Sequence, residues 1–320
     1  MSPKQDAYDV ITNRVLEALE GGHIPWQKPW RSVRGEAPTS LSTGRPYSGI
    51  NVWMLSLTAH LEGYTSPFWG TFNQLKEIAV KQARSEGREI VEELVRGRKA
   101  YFELVDGEKV PFRGGVRKGE HGTNVVLLKR VEAKKDQNGD VEKEGYSFLR
   151  YYSVFNADQC DGLGLEVVED ELPERDPIAS AEAIVAGYKG CPEVRSGGNS
   201  AHYSPALDYV QMPKIGQFDS SELYYSTLLH ELVHSTGHKD RLNRETLISP
   251  LPFGSEDYSK EELVAEMGAA YLNAEAGLEV ELEHSAGYIQ HWLGVLKNDK
   301  KLLVSAASQA QKASDHILGI

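Results

Sequence analysis

The residues best spaced for chemistry lie in the run TLLHELVHSTGHKDRLNR at 227–244. There His230 and His234 stand four apart with Glu231 between them. On a helix that spacing sets both imidazoles on one face, one turn apart, where they can reach a single cation. Glu231 sits where a carboxylate can act as general base toward a zinc-activated water. Bound Zn2+ lowers the pKa of its water to about 7, so hydroxide becomes available at neutral pH. A chain with ten histidines can meet this pattern by chance, and two solvated or core histidines on an amphipathic helix are the plain alternative. Context favours the metal. Asp219 with Glu222 fits a capping box, Gly237 fits a left-handed C-terminal cap, and a hairpin, AHYSPALDYVQMP, precedes the helix.

A catalytic zinc needs a third protein ligand, and several residues compete. Asp240 completes a His-Glu-x-x-His-x-x-Gly-x-x-Asp run, with Gly237 letting the chain turn. His238 would face the metal if the helix continued past Gly237. In YSKEELVAEMGAAYLNAEAG, Glu262 and Glu266 share one face of a second helix opened by Ser259. In gluzincins a Glu on the following helix binds zinc, and an acid four residues on orients a ligand histidine. That assigns Glu262 to the metal and Glu266 to the shell behind it. Against Glu262, Ser259-x-x-Glu262 is itself a capping box; Glu261, Glu266 and His238 remain further candidates. The run Gly268-Ala269-Ala270 suits close packing against a neighbouring helix. Tyr203, Tyr288 and His291 are candidate donors to an oxyanion.

The elements that must position these groups occupy the second half of a chain expected to form two domains, since 320 residues exceed what one core usually serves. The acidic, Pro-bearing stretch VVEDELPERDPIAS marks the boundary. The expected division is a domain over 1–165, a linker over 166–177 and a domain over 178–320. The fold class is α+β: an N-terminal antiparallel-sheet domain with helices, then a mostly helical domain with a small sheet. Val10, Ile11, Val15, Leu16 and Leu19 form one helical face before Gly21-Gly22. The stretch from Thr71 to Ala100 is charged and helix-forming, with a break at Gly87. Two strands flank a polar hairpin loop at Asn138-Gly139.

Charge divides the same way. Residues 1–160 carry 23 Lys+Arg against 21 Asp+Glu, and residues 161–320 carry 12 against 26. The first half can meet a polyanion and the second is ill suited to one. Four of the five tryptophans lie before residue 71. Trp26, Lys28, Trp30, Arg45, Tyr47, Trp69, Arg117 and Lys118 are the candidate DNA contacts, because single-strand binders join a positive groove to aromatic faces. Core packing for the rings and plain solvation for the cations is the competing account. Two distant cysteines indicate neither a disulfide framework nor a thiolate site. With no apolar h-region and no run near the ~20 apolar residues of a spanning helix, a cytoplasmic protein without a membrane partner is expected.

The ordered motifs PWQKPW, TGRPYSGIN, WGTFNQL, VRKGEHGTNVV and YYSVFNADQ resemble the N-terminal domain of ArdC-type antirestriction proteins, which some plasmid primases share. YSPALDYVQMP, YYSTLLHELVHSTGHKDRLNR, FGSEDYSKEELVAEMGAAYL and the C-terminal run from Tyr288 resemble that family's zincin-like domain. The resemblance implies a plasmid- or phage-borne protein that binds single-stranded DNA and shelters incoming DNA from restriction. It implies a metallopeptidase-type second domain, with His230 and His234 on the metal, Glu231 as acid/base, and the second-helix acid in EELVAE, which favours Glu262 over Asp240. A protein substrate would be a host restriction protein or a DNA-bound protein. Shielding or mimicry of DNA around a structural metal, and DNA-dependent proteolysis, are the competing functions. The charged stretch 83–110 is longer than the family has at this point and reads as a surface insertion or partner site.

Overall fold

A computed structural model describes residues 6–26, 37–131, 134–135, 141–165, 176–248, 256–279 and 286–320. The fold is α+β, with antiparallel sheets and helices in the N-terminal region and a mostly helical C-terminal region around a small sheet. The chain folds into two compact units. One gathers Met1–Pro29, Ser48–Trp53 and Pro173–Ile320; the other gathers Trp30–Tyr47 and Met54–Leu172. The division at Leu172 and Pro173 falls within the expected linker, but the first helix groups with the C-terminal half. Most of the acidic linker lies outside the described residues.

The reason is apolar burial. In α1 (Ala7–Glu20) Ile11, Val15 and Leu19 are buried, and the helix packs on α8 (Ala286–Asn298). Trp26, 1% exposed, meets Trp292 of α8 edge-on at 5.6 Å between ring centroids. Leaving those side chains in water would forfeit about 1.5–3 kcal/mol each. In the same unit Trp53, in the first turn of α2 (Ile50–Glu62), meets Tyr271 with ring centroids 4.7 Å apart and planes tilted by 49°.

The other unit centres on a sheet of order β1-β2-β10-β7, from β1 (Thr39–Ser40), β2 (Phe68–Gly70), β7 (Thr123–Val131) and β10 (Tyr146–Asn156). The expected hairpin is there as the β7–β10 pair, Tyr146 opposite Val131 and Val154 opposite Thr123; the loop at Asn138-Gly139 falls outside the described residues, beside the short pair β8 (Lys134–Lys135) and β9 (Val141–Lys143). Helix α3 (Phe72–Ser85) opens with a full capping box between Thr71 and Gln74 and buries Leu75, Ala79, Val80 and Ala83. The strand pair β6 (Gly115–Val116) and β11 (Cys160–Asp161) lies beside it.

The helix-forming reading of the stretch from Thr71 to Ala100 does not hold beyond Gly87. After Ser85 the chain forms an antiparallel meander, β3 (Ile90–Val95), β4 (Arg98–Val105) and β5 (Glu108–Pro111). Its turns are Arg96-Gly97, with φ of 51° and 74°, and Asp106-Gly107, with φ of 52° and 80°. Paired positive φ is what a tight two-residue hairpin turn demands. Those two dipeptides, between runs holding Val, Ile, Tyr and Phe, were a strand signal that the charge content outweighed.

In the C-terminal unit, α4 (Pro177–Gly187) is followed by a three-stranded sheet of order β12-β14-β13, from β12 (Glu193–Ser196), β13 (His202–Ser204) and β14 (Tyr209–Met212). Helices α5 (Ser221–Ser235), α6 (Glu245–Ile248), α7 (Glu256–Ala276) and α9 (Leu302–Leu318) complete it. The expected hairpin is the β13–β14 pair, and it abuts α5.

Candidate metal centre

Two helices, α5 and α7, carry the site, and small residues let them approach. A Cβ on Gly268 would sit 2.7 Å from a Val233 methyl, so only glycine fits where α7 crosses α5. The caps differ from those expected. Ser220, not Asp219, caps α5 and accepts the Leu223 N–H at 3.1 Å. Gly237 follows the right-handed cap Thr236 and does not take a left-handed conformation. Its glycine serves close approach instead, since a Cβ there would meet the Arg244 guanidinium at 3.0 Å. Ser259 lies within α7 and is buried, so it does not open that helix, and Glu262 is not consumed by a cap.

Among the described residues one group can hold a metal: His230, His234 and Glu262, each offering a donor atom, all within 4.8 Å of one another. The two Nε2 atoms stand 3.1 Å apart. Glu262 places Oε2 3.7 Å from His230 Nε2 and Oε1 3.6 Å from His234 Nε2. Two imidazoles and a carboxylate are the donor set of an open zinc site. Burial opposes a charge on His230, but Glu262, Glu231 and Glu266 outweigh it and raise the ring's pKa. So much negative charge converging on two ring nitrogens fits a cation.

Behind the donors stands a carboxylate assigned to the wrong position from sequence. Glu261, not Glu266, faces an imidazole of the cluster, with Oε1 3.2 Å from His234 Nδ1. Arg244 donates to both Glu261 oxygens, at 2.6 and 3.1 Å, and Thr246 adds a hydroxyl at 2.6 Å. Arg244 also donates to the Val233 carbonyl at 2.9 Å and the Thr236 hydroxyl at 2.5 Å, so it ties the end of α5 to α7. Burial works against ionised Glu261, yet the bonds from His234 and Arg244 prevail and hold its pKa at about 2. An acceptor at Nδ1 keeps the proton there and leaves Nε2 for the cation. The helix period explains the miss. Glu266 lies a turn beyond Glu262, where it accepts the Trp26 indole N–H at 2.7 Å and the Tyr288 hydroxyl. Burial raises its pKa, only partly offset by those two bonds.

Glu231 is buried, and its Oε2 accepts the backbone N–H of Tyr203 at 2.8 Å. Strand β13 thus fixes the carboxylate beside the donor cluster. The three oxyanion candidates are otherwise occupied. Tyr203 donates its hydroxyl to Asp208, Tyr288 donates to Glu266, and His291 lies 3.4 Å from the Ser259 hydroxyl. Asp240 is exposed and faces His238 Nδ1 at 3.6 Å, so neither joins the cluster.

The candidate DNA contacts scatter. Trp26 is buried against Glu266 and Trp292, and Trp69 is 1% exposed in a core with Leu55, Val125 and Val154. Neither ring can stack on a base, so both belong to the core. Tyr47 packs half-buried on that same core, and burial pushes its hydroxyl up to about 12. Arg117 is exposed but committed to Glu120 and to the Asp158 carbonyl. Arg45 and Lys118 are exposed; Lys28 and Trp30 lie outside the described residues. Exposed rings lie elsewhere, at Phe72 of α3 and at Tyr146, Phe148, Tyr151 and Tyr152 of β10. Alternation along YSFLRYYSVFN was the signal that could have found those of β10.

Comparison with known proteins agrees with this layout. A model of zincin-like metallopeptidases matches residues 179–309, and a model of the N-terminal domain of anti-restriction factor ArdC matches 5–155. The uncharacterized protein y4eC of Sinorhizobium fredii is 33% identical over 319 residues, covering 97% of this chain and 91% of that protein. A DNA primase TraC of Escherichia coli is 32% identical over 335 residues; the match covers 99% of this chain but 20% of the primase. The metal-free crystal structure of antirestriction ArdC from plasmid R388 superposes with a TM-score of 0.70 at 35% identity, over 98% of this chain and 97% of that one. Its Mn(II)-bound structure gives 0.69 at 35% identity, over 98% of both chains.

Proposed function

Because the chain belongs to the ArdC-type antirestriction family, we propose that it shields incoming DNA from host restriction by binding it as a single strand, and that His230, His234 and Glu262 hold a divalent cation. The observation that carries the metal is the convergence of three donors within 4.8 Å, backed by Glu261 on the outer nitrogen of His234. Zinc suits two imidazoles and a carboxylate, and a related protein is known with Mn(II) bound. In the shielding reading the cation braces α5 against α7. DNA contact falls to the region matched by the ArdC N-terminal model, residues 5–155.

A second reading, peptide hydrolysis, is favoured by Glu231. A cation that only braces helices needs no carboxylate fixed beside its donors, yet Tyr203 N–H holds one there. A bound divalent cation supplies a Lewis acid that polarises a carbonyl and acidifies water. Glu231 would take the water's proton and return it to the leaving amine. Its substrate would be a restriction protein or another DNA-bound protein.

Elemental analysis after mild dialysis tests the metal. About one zinc or manganese per chain is expected, retained in Asp240→Ala and lost in Glu262→Ala; a metal-free wild type after reloading would end the assignment. Glu231→Gln then separates the two readings. Protection from restriction that survives with metal bound supports shielding, and protection lost with metal retained supports hydrolysis.

A further inference from the structure

The β7–β10 hairpin changes character along its length. Its register sets Thr123, Val125, Leu127, Lys129 and Val131 on one face with Val154, Tyr152, Arg150, Phe148 and Tyr146. At the inner end that face is core, with Val125 and Val154 at 0% and 1% exposure. Further out the same face still carries large apolar side chains in solvent: Leu127 is 46% exposed, Tyr152 38%, Phe148 39% and Tyr146 61%. Tyr146 and Phe148 lie 5.8 Å apart with planes tilted by 31°. A strand face meant only for water would turn polar past the core, as antiparallel sheets ordinarily do.

Charge on the hairpin points to the occupant. Strands β7 and β10 contain Lys129, Arg130 and Arg150 and no Asp or Glu, in a chain of net charge −12. All three cations are exposed, and among the described residues none is paired with a carboxylate. Lys129 and Arg150 share the face of the rings. Alternate residues on a strand stand about 6.6 Å apart, so each ring offers its own stacking surface beside a cation. An unpaired nucleic acid strand presents that complement, π-faces along an anionic backbone, and a duplex hides its faces. An apolar protein partner would leave the cations without a counterpart.

We propose that the outer half of this hairpin is the stacking platform for single-stranded DNA, formed by Tyr146, Phe148 and Tyr152 with Lys129 and Arg150 between them. The proposal rests on the DNA-binding reading above and draws on none of the eight candidate contacts, although one of them, Tyr47, lies near Tyr152.

The test is fluorescence anisotropy of a labelled 20-nucleotide oligo-dT across a salt series, with the full chain. Tyr146→Ala, Phe148→Ala and Tyr152→Ala should each weaken binding about tenfold or more. Lys129→Gln with Arg150→Gln should reduce the slope of log K against log salt by about 1.4, at 0.7 per cation for single strands. Unchanged metal content and circular dichroism in each variant show that it is folded. Wild-type binding that every variant retains would overturn the platform while sparing the DNA reading. A wild type that binds no single strand removes both. Equal affinity for duplex DNA, preference for oligo-rU, or loss of a protein complex or of self-association in its place also overturns the proposal.

Discussion

The donor cluster between α5 and α7 and the outer face of β7–β10 invert the usual rule of burial in opposite directions. At the cluster, ionisable groups are taken out of water: Glu231, His234, Arg244 and Glu261 are all buried. On the hairpin, aromatic rings that elsewhere fill cores are left in water. Both arrangements are costly when the groups stand alone. A buried charge is tolerable only when every lone pair and proton is met, and Glu261 meets that condition through His234, Arg244 and Thr246. A cluster of exposed rings has no such internal compensation and is the kind of patch that suits a ligand. On the readings proposed above, the first region takes a cation and the second a DNA strand.

Removing a partner should hurt the buried region most. Arg244→Ala takes from Glu261 its guanidinium partner at 4% side-chain exposure, leaving only His234 and Thr246 against the carboxylate, a loss of about 3–5 kcal/mol. Urea unfolding of the C-terminal unit should show it, and a change under 1 kcal/mol would mean that the guanidinium is not what holds the two helices. Metal acts on the same unit from the other side. Free zinc or Mn(II) at a hundred times its Kd should stabilise it by about 2.7 kcal/mol. Hydrogen exchange should then slow in α5 and α7 and not in β7 or β10; equal slowing in both regions would erase the contrast. Next comes Gly268→Ala, which sets a methyl 2.7 Å from Val233. Overpacking of this kind costs about 1–3 kcal/mol, and it should weaken metal binding as the helices part. Full affinity in this variant would show that the donors tolerate a shift of α7.

The chemistry was more legible than its support. His-Glu-x-x-His carries its own geometry, because a four-residue spacing fixes two rings on one helical face. Glu262 could be favoured for the same reason, once a second helix was in view. Glu261 was not legible, since its role depends on which way α7 faces α5, and that is set by the Gly268–Val233 contact. Arg244 belongs to a loop whose path no periodicity encodes. Trp26 misled because a tryptophan amid Pro and Lys looks exposed, whereas its partners, Glu266 and Trp292, are some 240 and 266 residues away in the sequence. The strands at 90–111 were hidden under charge, although Arg96-Gly97 and Asp106-Gly107 marked their turns.

The smallest expected effect bears most directly on the exposed region. If the rings of β10 exist to meet a ligand, they contribute little to the fold, and Tyr146→Ser should change unfolding free energy by no more than about 0.5 kcal/mol. Tyr146 is 61% exposed and its nearest ring neighbour, Phe148, is itself exposed, so little buried area is lost. The matched substitution at the inner end of the same face, Val154→Ser, removes a side chain that is 1% exposed and brings a hydroxyl into a core of Leu55, Trp69 and Val125. Two residues eight apart on one strand face should thus differ severalfold in cost, in chemical denaturation of the same protein. A loss at Tyr146 as large as at Val154 would mean that the ring is structural, and the hairpin would then need no partner to account for it.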